Sequence, residues 1–230
     1  ISCESCVVKN SGWSSSISKP IKLPKLIDED IMYAHGLIWS DGSYQRNSII
    51  FSGDNKALHN KLKSIILDKF NVKAADHTRK DTCQVTAFHS ESLKQLFKNI
   101  STKLLEMPEN LLTAWLRGVC DGDGYISEDA LKICIGVTKK GNRKLLQKIL
   151  LRVGIPTVDH KGNNIELTSQ SQIRTFLDKV GFYHPEKARR AKNYKERPSE
   201  ASRLDIIPIG SLANSLQRRD IGPSIHGWAK

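Results

Sequence analysis

Two aspartates, Asp41 and Asp123, each follow a short helical pattern of apolar and small residues, and each precedes a glycine. Each pattern also carries two small residues four positions apart. These small residues are Gly36 and Ser40 in the first pattern and Gly118 and Gly122 in the second. Because residues at i and i+4 share one face of a helix, the two helices are expected to cross closely at these faces. Their ends, and hence the two aspartates, would then lie side by side.

Two carboxylates held this close would raise each other's pKa, and a divalent cation would remove that cost. Carboxylates suit Mg²⁺, which fills its remaining positions with water and phosphate oxygens. The pair therefore indicates a metal-dependent phosphodiesterase. The structural alternative is an ordinary helix end, because glycine favours the left-handed position that terminates many helices. One such end would most often be structural, whereas two matched ends favour a site.

An EF-hand is a second alternative, because residues 121–127 resemble the middle of a calcium-binding loop. Aligning Gly124 with the invariant glycine of that loop places Val119 at the first ligand position and Ala130 at the last. Both positions must supply oxygen ligands from side chains. The EF-hand is therefore excluded.

The composition points to a nucleic-acid partner. The 230 residues carry a formal charge of +12 and a pI near 9.5, which is typical of proteins that bind a polyanion. The 39% of hydrophobic and 26% of charged residues exclude a disordered chain, a collagen and a coiled coil. No apolar run approaches the ~20 residues of a membrane span, and no signal peptide is recognisable. We therefore expect no membrane partner and a cytoplasmic protein, or a nuclear one in a eukaryote, that is not secreted.

The five cysteines are expected to be reduced thiols, because nothing indicates a secreted disulfide framework. Cys3 and Cys6 have half of the spacing of a zinc ribbon. No second cysteine pair completes it, so a four-ligand zinc site is not expected from this chain alone.

Hydrophobic periodicity predicts the same series of elements twice. In the first half it predicts helices at 29–40, 55–69 and 90–100 and strands at 44–52, 70–77 and 82–88. In the second half it predicts helices at 111–122, 142–153 and 171–180 and strands at 133–137, 155–160 and 164–168. Corresponding residues lie 80 to 83 positions apart. The chain is therefore predicted to be an α+β protein of two pseudo-symmetric repeats, each reading helix, hairpin, helix, two strands, helix.

The domain boundaries follow from this repeat and from composition. Serines and two prolines predict a leader or linker at 1–25, followed by a first repeat at 26–108 and a second at 109–197. Residues 198–230 form a basic C-terminal tail, with a short helix predicted at 210–218. Such a segment is expected to contact phosphates without reading bases.

The two segments 34–42 and 116–124 resemble the paired dodecapeptide motifs of LAGLIDADG homing endonucleases, in the single-chain form with two motifs. The segment 203–208 is similar to a stretch that often follows the endonuclease in inteins, so the resemblance implies an intein-derived origin. The chain begins with Ile1 and ends with Lys230, without the residues that inteins use for splicing. A self-splicing function is therefore not expected of it.

The resemblance implies two αββαββα repeats that form a saddle over DNA, with the motif helices at the interface between them. It implies metal binding by Asp41 and Asp123, joined by the backbone carbonyls of Ser40 and Gly122. The cofactor would be Mg²⁺, with Mn²⁺ or Ca²⁺ as substitutes in binding. The family also keeps a lysine near each cleaved phosphate, and the candidates are Lys103 and Lys187, with Lys192 and Lys195 as rivals in the second half.

The residues that contact DNA are expected on the strands and their loops. In the first half they are Tyr44, Gln45, Arg46, Lys73, His77, Arg79 and Lys80. In the second half they are Lys132, Lys139, Lys140, His160, Lys161 and Asn163. Arg pairs well with guanine and Gln or Asn with adenine, whereas Lys more often contacts phosphate. Strand register decides which of these face the DNA, and the sequence does not supply it.

The leading hypothesis is a site-specific endonuclease that cuts both strands of a long, asymmetric DNA site as a monomer. The first alternative is a non-cleaving nucleic-acid-binding protein on the same scaffold, such as an RNA splicing maturase or a regulator. The second is a splicing-competent intein, which the chain ends disfavour.

Overall fold

A computed structural model describes residues 21–78, 83–157 and 162–195. The first half begins with helix α1 (Glu29–Asp41) and a hairpin, and it ends with helix α3 and a short 3-10 helix, Leu104–Glu106. Its other elements are β1 (Gly42–Tyr44), β2 (Ile49–Gly53), α2 (Lys56–Phe70), β3 (Ala74–Thr78), β4 (Gln84–Phe88) and α3 (Glu91–Thr102). The helix predicted at 210–218 lies outside the described residues, as do most of the predicted leader and the tail.

Over the described residues, the second half follows the order of the first half with one strand fewer and one helix more. Its elements are α4 (Glu109–Asp123), β5 (Gly124–Ile126), β6 (Ile133–Gly136), α5 (Lys140–Arg152), β7 (Asn164–Leu167), α6 (Gln170–Lys179) and α7 (Pro185–Ala191). The α+β class with antiparallel sheets is therefore as predicted. Each helix predicted within the described residues is present, within a few residues of its expected bounds.

Several elements differ from the sequence prediction. The stretch predicted as a strand at 44–52 contains a turn between β1 and β2, and β5 was not among the predicted strands. The strand expected at 155–160 is absent from its described part, residues 155–157. The Ile155 N–H instead donates to the Leu150 carbonyl and closes the end of α5. Pro156 has no backbone N–H that could donate a hydrogen bond to a neighbouring strand. Helix α7 was not predicted, because its seven residues bury no side chain and so show no hydrophobic period. Its signal was Pro185 at the first turn, after an N-terminal cap by His184.

Both sheets are antiparallel, and each packs one face on the helices. The first has the strand order β1-β2-β4-β3, with Ile49 directly opposite Phe88 on the buried face. The second has the order β5-β6-β7, with Ile133 opposite Leu167 on the buried face. Successive side chains of a strand alternate between faces. The alternate residues of the second sheet therefore form a face turned away from the core, named here the open face: Tyr125, Cys134, Gly136, Asn164 and Glu166.

Helices α1 and α4 form the centre of the molecule and share one continuous core. A Cβ atom on Gly36 would overlap the Trp115 carbonyl oxygen, and one on Gly118 would lie 2.7 Å from the Leu37 nitrogen. Only glycine permits this approach of the two backbones, so the small residues are used where the helices cross. Gly costs about 1 kcal/mol in a helix interior relative to Ala, and the close packing offsets that cost.

Polar groups inside this core are paired. Buried His35 of α1 accepts from the Trp115 indole N–H at 2.8 Å, and its other ring nitrogen lies 3.0 Å from the Phe97 carbonyl oxygen. Burial lowers the pKa of His35 to about 4, so the ring is neutral and bridges three helices. Among the described residues, no helix is both long enough and apolar enough to cross a lipid bilayer.

Candidate active site

The two aspartates lie at the adjacent C-terminal ends of α1 and α4. A Cβ atom on Gly122 would lie 2.6 Å from Oδ2 of Asp41, so the first carboxylate contacts the end of the opposite helix. Burial, followed by the charge of Asp123, raises the pKa of Asp41 to about 6, and Lys187 lowers it. Desolvation also raises the pKa of Asp123, and Lys187 again lowers it. The site therefore holds two neighbouring carboxylates whose charged forms are disfavoured mainly by burial.

Lys187 of α7 supplies the positive charge that the structure places at this site. Its Nζ donates to three consecutive backbone carbonyls at the end of α4, those of Cys120 at 2.9 Å, Asp121 at 2.7 Å and Gly122 at 2.9 Å. An ammonium has three donors, and all three are used here. The negative end of the α4 dipole also favours a cation. Burial lowers the pKa of Lys187, while the surrounding acids raise it.

Asp121, which precedes Gly122, holds α7 in place. Its side chain is buried and accepts from the Tyr33 hydroxyl at 2.8 Å and from the backbone N–H groups of Tyr183 and His184 at 3.0 and 2.9 Å. Burial raises the pKa of Asp121, and these hydrogen bonds lower it. The Asp121 carboxylate thus holds the segment before α7 against α4. This contact positions Lys187, which lies in α7. No site role was predicted for Asp121 from the sequence.

A cleft of about 330 Å³ opens beside the acids and is lined by residues of both halves. Asp41, Asp54 and Asn55 line it from the first half, and His184 and Lys187 line it from the second. The Asn55 amide donates to Nε2 of His184 at 2.9 Å. Burial and the charge of Lys187 lower the pKa of His184, so the ring is neutral. Neither Asn55 nor His184 was predicted, because their approach joins residues 129 positions apart.

The donor set suits a hard cation. Among the described residues, no group of three or more His, Cys, Asp or Glu side chains could hold a metal ion. The two aspartates instead offer carboxylate oxygens next to the backbone carbonyl of Gly122. An all-oxygen set with few protein ligands fits Mg²⁺, which keeps several waters. The Ser40 hydroxyl donates to the Leu37 carbonyl at 2.9 Å inside α1, so its side chain is already used.

The two predicted lysines have different positions. Lys187 lines the cleft, whereas Lys103 follows α3 and leads into the 3-10 helix, and it does not line the cleft. Lys103 is also not among the charges that shift the pKa of either aspartate. The structure therefore brings together Asp41, Asp123 and Lys187 but not Lys103.

In the first half, the residues predicted to contact DNA are divided between two sides of the sheet. Tyr44 pairs with Ile49 on the face toward the helices, and Lys98 of α3 lies 6.0 Å from its ring centroid. Its side chain is therefore turned away from the face where DNA was expected. His77 lies on the other face and is exposed.

The remaining predicted residues of the first half lie in loops. Gln45 and Arg46 form the β1–β2 turn, and their carbonyls accept from Lys94. Lys73 is exposed just before β3. Arg79 and Lys80 lie outside the described residues.

In the second half, Lys132 lies directly before β6 and forms an ion pair of 2.9 Å with Glu166 of β7. Lys139 and Lys140 are exposed at the beginning of α5. Asn163 precedes β7, and its carbonyl accepts from the Val137 N–H at 2.6 Å. His160 and Lys161 lie outside the described residues.

Residues 110–181 match the family described as a LAGLIDADG-like domain. The resemblance to LAGLIDADG proteins is therefore confirmed over these residues, which include the second motif segment, 116–124. The match covers the second half as far as the end of α6, and the first half lies outside it.

Solved structures share this fold. The complex of I-DmoI with DNA and Ca superposes with a TM-score of 0.58 at 17% identity, over 72% of this chain and 98% of that one. Mesophilic variants of the homing endonuclease I-DmoI superpose with a TM-score of 0.56 at 18% identity, over 66% of this chain and 95% of that one. The N-terminal LAGLIDADG domain of DUF199/WhiA superposes with a TM-score of 0.53 at 20% identity, over 66% of this chain and 82% of that one. At these identities the likeness establishes the fold alone.

Two curated proteins are similar in sequence. One is a component of the A-type ATP synthase of Methanopyrus kandleri, which is 27% identical over 199 residues, or 83% of this chain and 20% of that protein. The other is the glutamine--fructose-6-phosphate aminotransferase [isomerizing] of Methanocaldococcus jannaschii, which is 27% identical over 152 residues, or 60% of this chain and 14% of that protein. The chain thus spans a fifth or less of the length of these relatives.

Proposed function

We propose that this protein is a site-specific endonuclease that cuts both strands of a long, asymmetric DNA site. The observation that carries the proposal is the pair Asp41 and Asp123 at adjacent helix ends, with the Lys187 ammonium beside them. Burial and the charge of Asp123 raise the pKa of Asp41, and a divalent cation would offset both effects. The charge of +12 supports a DNA partner.

The residues of the site would have different roles. Asp41 and Asp123 would hold Mg²⁺, with the carbonyls of Ser40 and Gly122 as further ligands, and the ion would polarise phosphate and lower the pKa of water. Lys187 would stabilise the negative charge that develops on the cleaved phosphate. Asp121 keeps α7, and so Lys187, in place. The acids lie at one end of α1 and α4, where both halves can reach the same duplex.

The two curated relatives support an inserted origin. Their names describe unrelated activities, yet each shares with this chain a segment that makes up only 20% or 14% of its length. A segment that this chain shares with two proteins of unrelated names is typical of an inserted element. This supports an intein-derived endonuclease, with repeats at 26–108 and 109–197, a leader at 1–25 and a tail at 198–230. The activities of the whole relatives are not proposed for this chain.

The test is linearisation of a plasmid that carries the uninterrupted insertion site of the host gene. With Mg²⁺, the full chain should produce one double-strand break at that site, and with EDTA it should produce none. A plasmid without the site is the matched control. If neither nicked nor linear product forms on the target plasmid under Mg²⁺, the endonuclease proposal is wrong.

One observation favours a second candidate, a non-cleaving nucleic-acid-binding protein such as a maturase or a regulator. Lys187 already donates to the Gly122 carbonyl that a metal would use, so its ammonium partly neutralises the site without a metal. Tight binding of the target that EDTA does not change, together with intact DNA under Mg²⁺, would select this candidate.

We also propose a monomer, because both aspartates of the pair are on one chain. Light scattering of the protein with and without its DNA should give one chain per duplex. An obligate dimer at micromolar concentration would contradict this.

A further inference from the structure

The open face of the second sheet carries an ion pair that the proposed cleavage chemistry does not use. Glu166 lies on this face directly opposite Cys134. Lys132 lies two positions before Cys134, so strand alternation places it on the same side. Its Nζ is 2.9 Å from Oε1 of Glu166, and the two side chains are 43% and 34% exposed. A donor and an acceptor are therefore presented side by side to the solvent.

The pair retains hydrogen-bonding capacity toward a ligand. Both contacts of the carboxylate, with Lys132 and with the Cys134 thiol at 3.9 Å, reach Oε1. Oε2 can therefore accept from a ligand. The hydrogen bond with Glu166 raises the pKa of Lys132, so the ammonium keeps its proton and its further donors.

A carboxylate is unexpected on a face that meets DNA if the face only contacts phosphates. An acid repels phosphate, and the ion pair is neutral overall, so it adds little to sequence-independent affinity. A neutral donor–acceptor pair is instead suited to base edges. In the major groove guanine presents the acceptors O6 and N7, and the paired cytosine presents its N4 amine as a donor.

We propose that Lys132 and Glu166 together read one G·C base pair of the target, with Lys132 donating to guanine and Glu166 accepting from cytosine. This inference rests on the proposed function, because it requires the open face to meet DNA. The pair also fixes the orientation of the base pair, since a reversed C·G pair would place an amine toward the ammonium. Lys132 was expected to contact DNA, whereas Glu166 had no assigned role.

The experiment measures the base preference of the full chain in EDTA, where cleavage does not interfere. A duplex is selected from a randomised library, and every position of the selected duplex is then changed singly and its relative affinity measured. Three variants are compared with the unaltered protein: Glu166→Ala, Lys132→Met and Glu109→Ala. Glu109 is the matched control, because it forms a similar ion pair of 2.7 Å with Lys179 at the other end of α4, about 20 Å from Asp123.

We expect Glu166→Ala to lose about tenfold of discrimination at one G·C position, since a good base contact contributes about 1–3 kcal/mol of discrimination and 1.4 kcal/mol is tenfold. Lys132→Met should lose preference at the same position. Glu166→Ala should also bind all duplexes more tightly, because it removes a negative charge. Glu109→Ala should keep the original preference at every position.

The inference is overturned if Glu166→Ala retains the original preference, or if its loss is spread evenly over all positions. A lower melting temperature with an unchanged preference would show that the pair only joins β6 to β7, and would overturn it as well. Failure of the proposed function has a different signature, because the unaltered protein would then select no sequence from the library, or would select a duplex that it leaves intact under Mg²⁺. The full set of variants therefore separates the two.

Discussion

The two halves of the molecule end their central helices in the same way but support those ends differently. In the second half, buried Asp121 accepts from the backbone before α7, and α7 places Lys187 on the end of α4. In the first half, Trp39 stands at the position equivalent to Asp121, and it packs on Trp115 at a ring-centroid distance of 5.2 Å. Lys103 does not reach the cleft. Among the described residues, the two halves thus provide two acids but one lysine at the site.

This difference shows that the two halves are symmetric where they contact each other and asymmetric around the two aspartates of the candidate site. The crossing of α1 and α4 needs small residues from both halves, because each backbone approaches the other. The delivery of a lysine needs only one extra helix, and the second half has it. Four predictions test this comparison, beginning with the largest effect.

Replacing either acid should abolish double-strand cleavage while leaving DNA binding nearly intact. Asp41→Asn and Asp123→Asn each remove a charged metal ligand. Metal stabilisation of several kcal/mol corresponds to a loss of about a thousandfold in rate or more. Single-turnover cleavage and a binding isotherm measure the two quantities. If one variant linearised its target at the original rate, that aspartate would not be a metal ligand, and the symmetry of the acids would be broken.

The lysines should differ strongly. Lys187→Met removes the ammonium beside both acids and should slow cleavage by about a hundredfold, the lower range for a positioned catalytic group. Lys103→Met is the matched control in the first half and should change the rate by less than about threefold. Melting curves of both variants check that α7 still folds. Equal losses would mean that DNA binding brings Lys103 to the site, and the asymmetry inferred from the cleft would be wrong.

The helix crossing should depend on both halves equally. Gly118→Leu and Gly36→Leu each force a side chain into the opposite backbone, and overpacking typically costs about 1–3 kcal/mol. Gly141→Leu is the control, because a Cβ there meets nothing within 4 Å. Denaturant unfolding gives the free energies. A Gly118 variant as stable as the Gly141 variant would show that the helices do not cross there.

The pKa of Asp41 should report the charges around it. In the metal-free protein its carboxyl should titrate near pH 6 by NMR, above its ordinary value of 3.8. Asp123→Asn should lower this pKa and Lys187→Met should raise it, since the first removes a negative charge and the second a positive one. A pKa unaffected by both substitutions would exclude the coupling of the two halves at this site.

The same shift has a consequence for stability. Because the folded pKa is raised, the protonated carboxyl is favoured in the native state. The stabilisation is therefore present below pH 3.8 and is lost as the pH rises through 6. Subtracting the pH dependence of an Asp41→Asn variant isolates it from other groups such as His35.

Much of the architecture was predictable because hydrophobic spacing is local information. The stripes of apolar residues predicted the helices α1 to α6, and the repeated offset of 80 to 83 positions predicted two copies of one unit. Helix α7 was missed because none of its residues is buried, so no stripe marks it. The strand expected at 155–160 is absent over its described residues, 155–157, because Ile155 closes α5 instead.

The same distinction between local and long-range information applies to the candidate site. The sequence by itself determined the two acids and the small faces beside them, because both lie within one short helical segment in each half. Only the tertiary structure decided that Lys187 and not Lys103 joins them, that Asp121 and His184 lie at the cleft, and that Glu166 is beside Lys132. The physical reason is that these contacts join residues that are distant in the chain. Which side of a strand or which end of a helix they occupy depends on register and packing that no local pattern records.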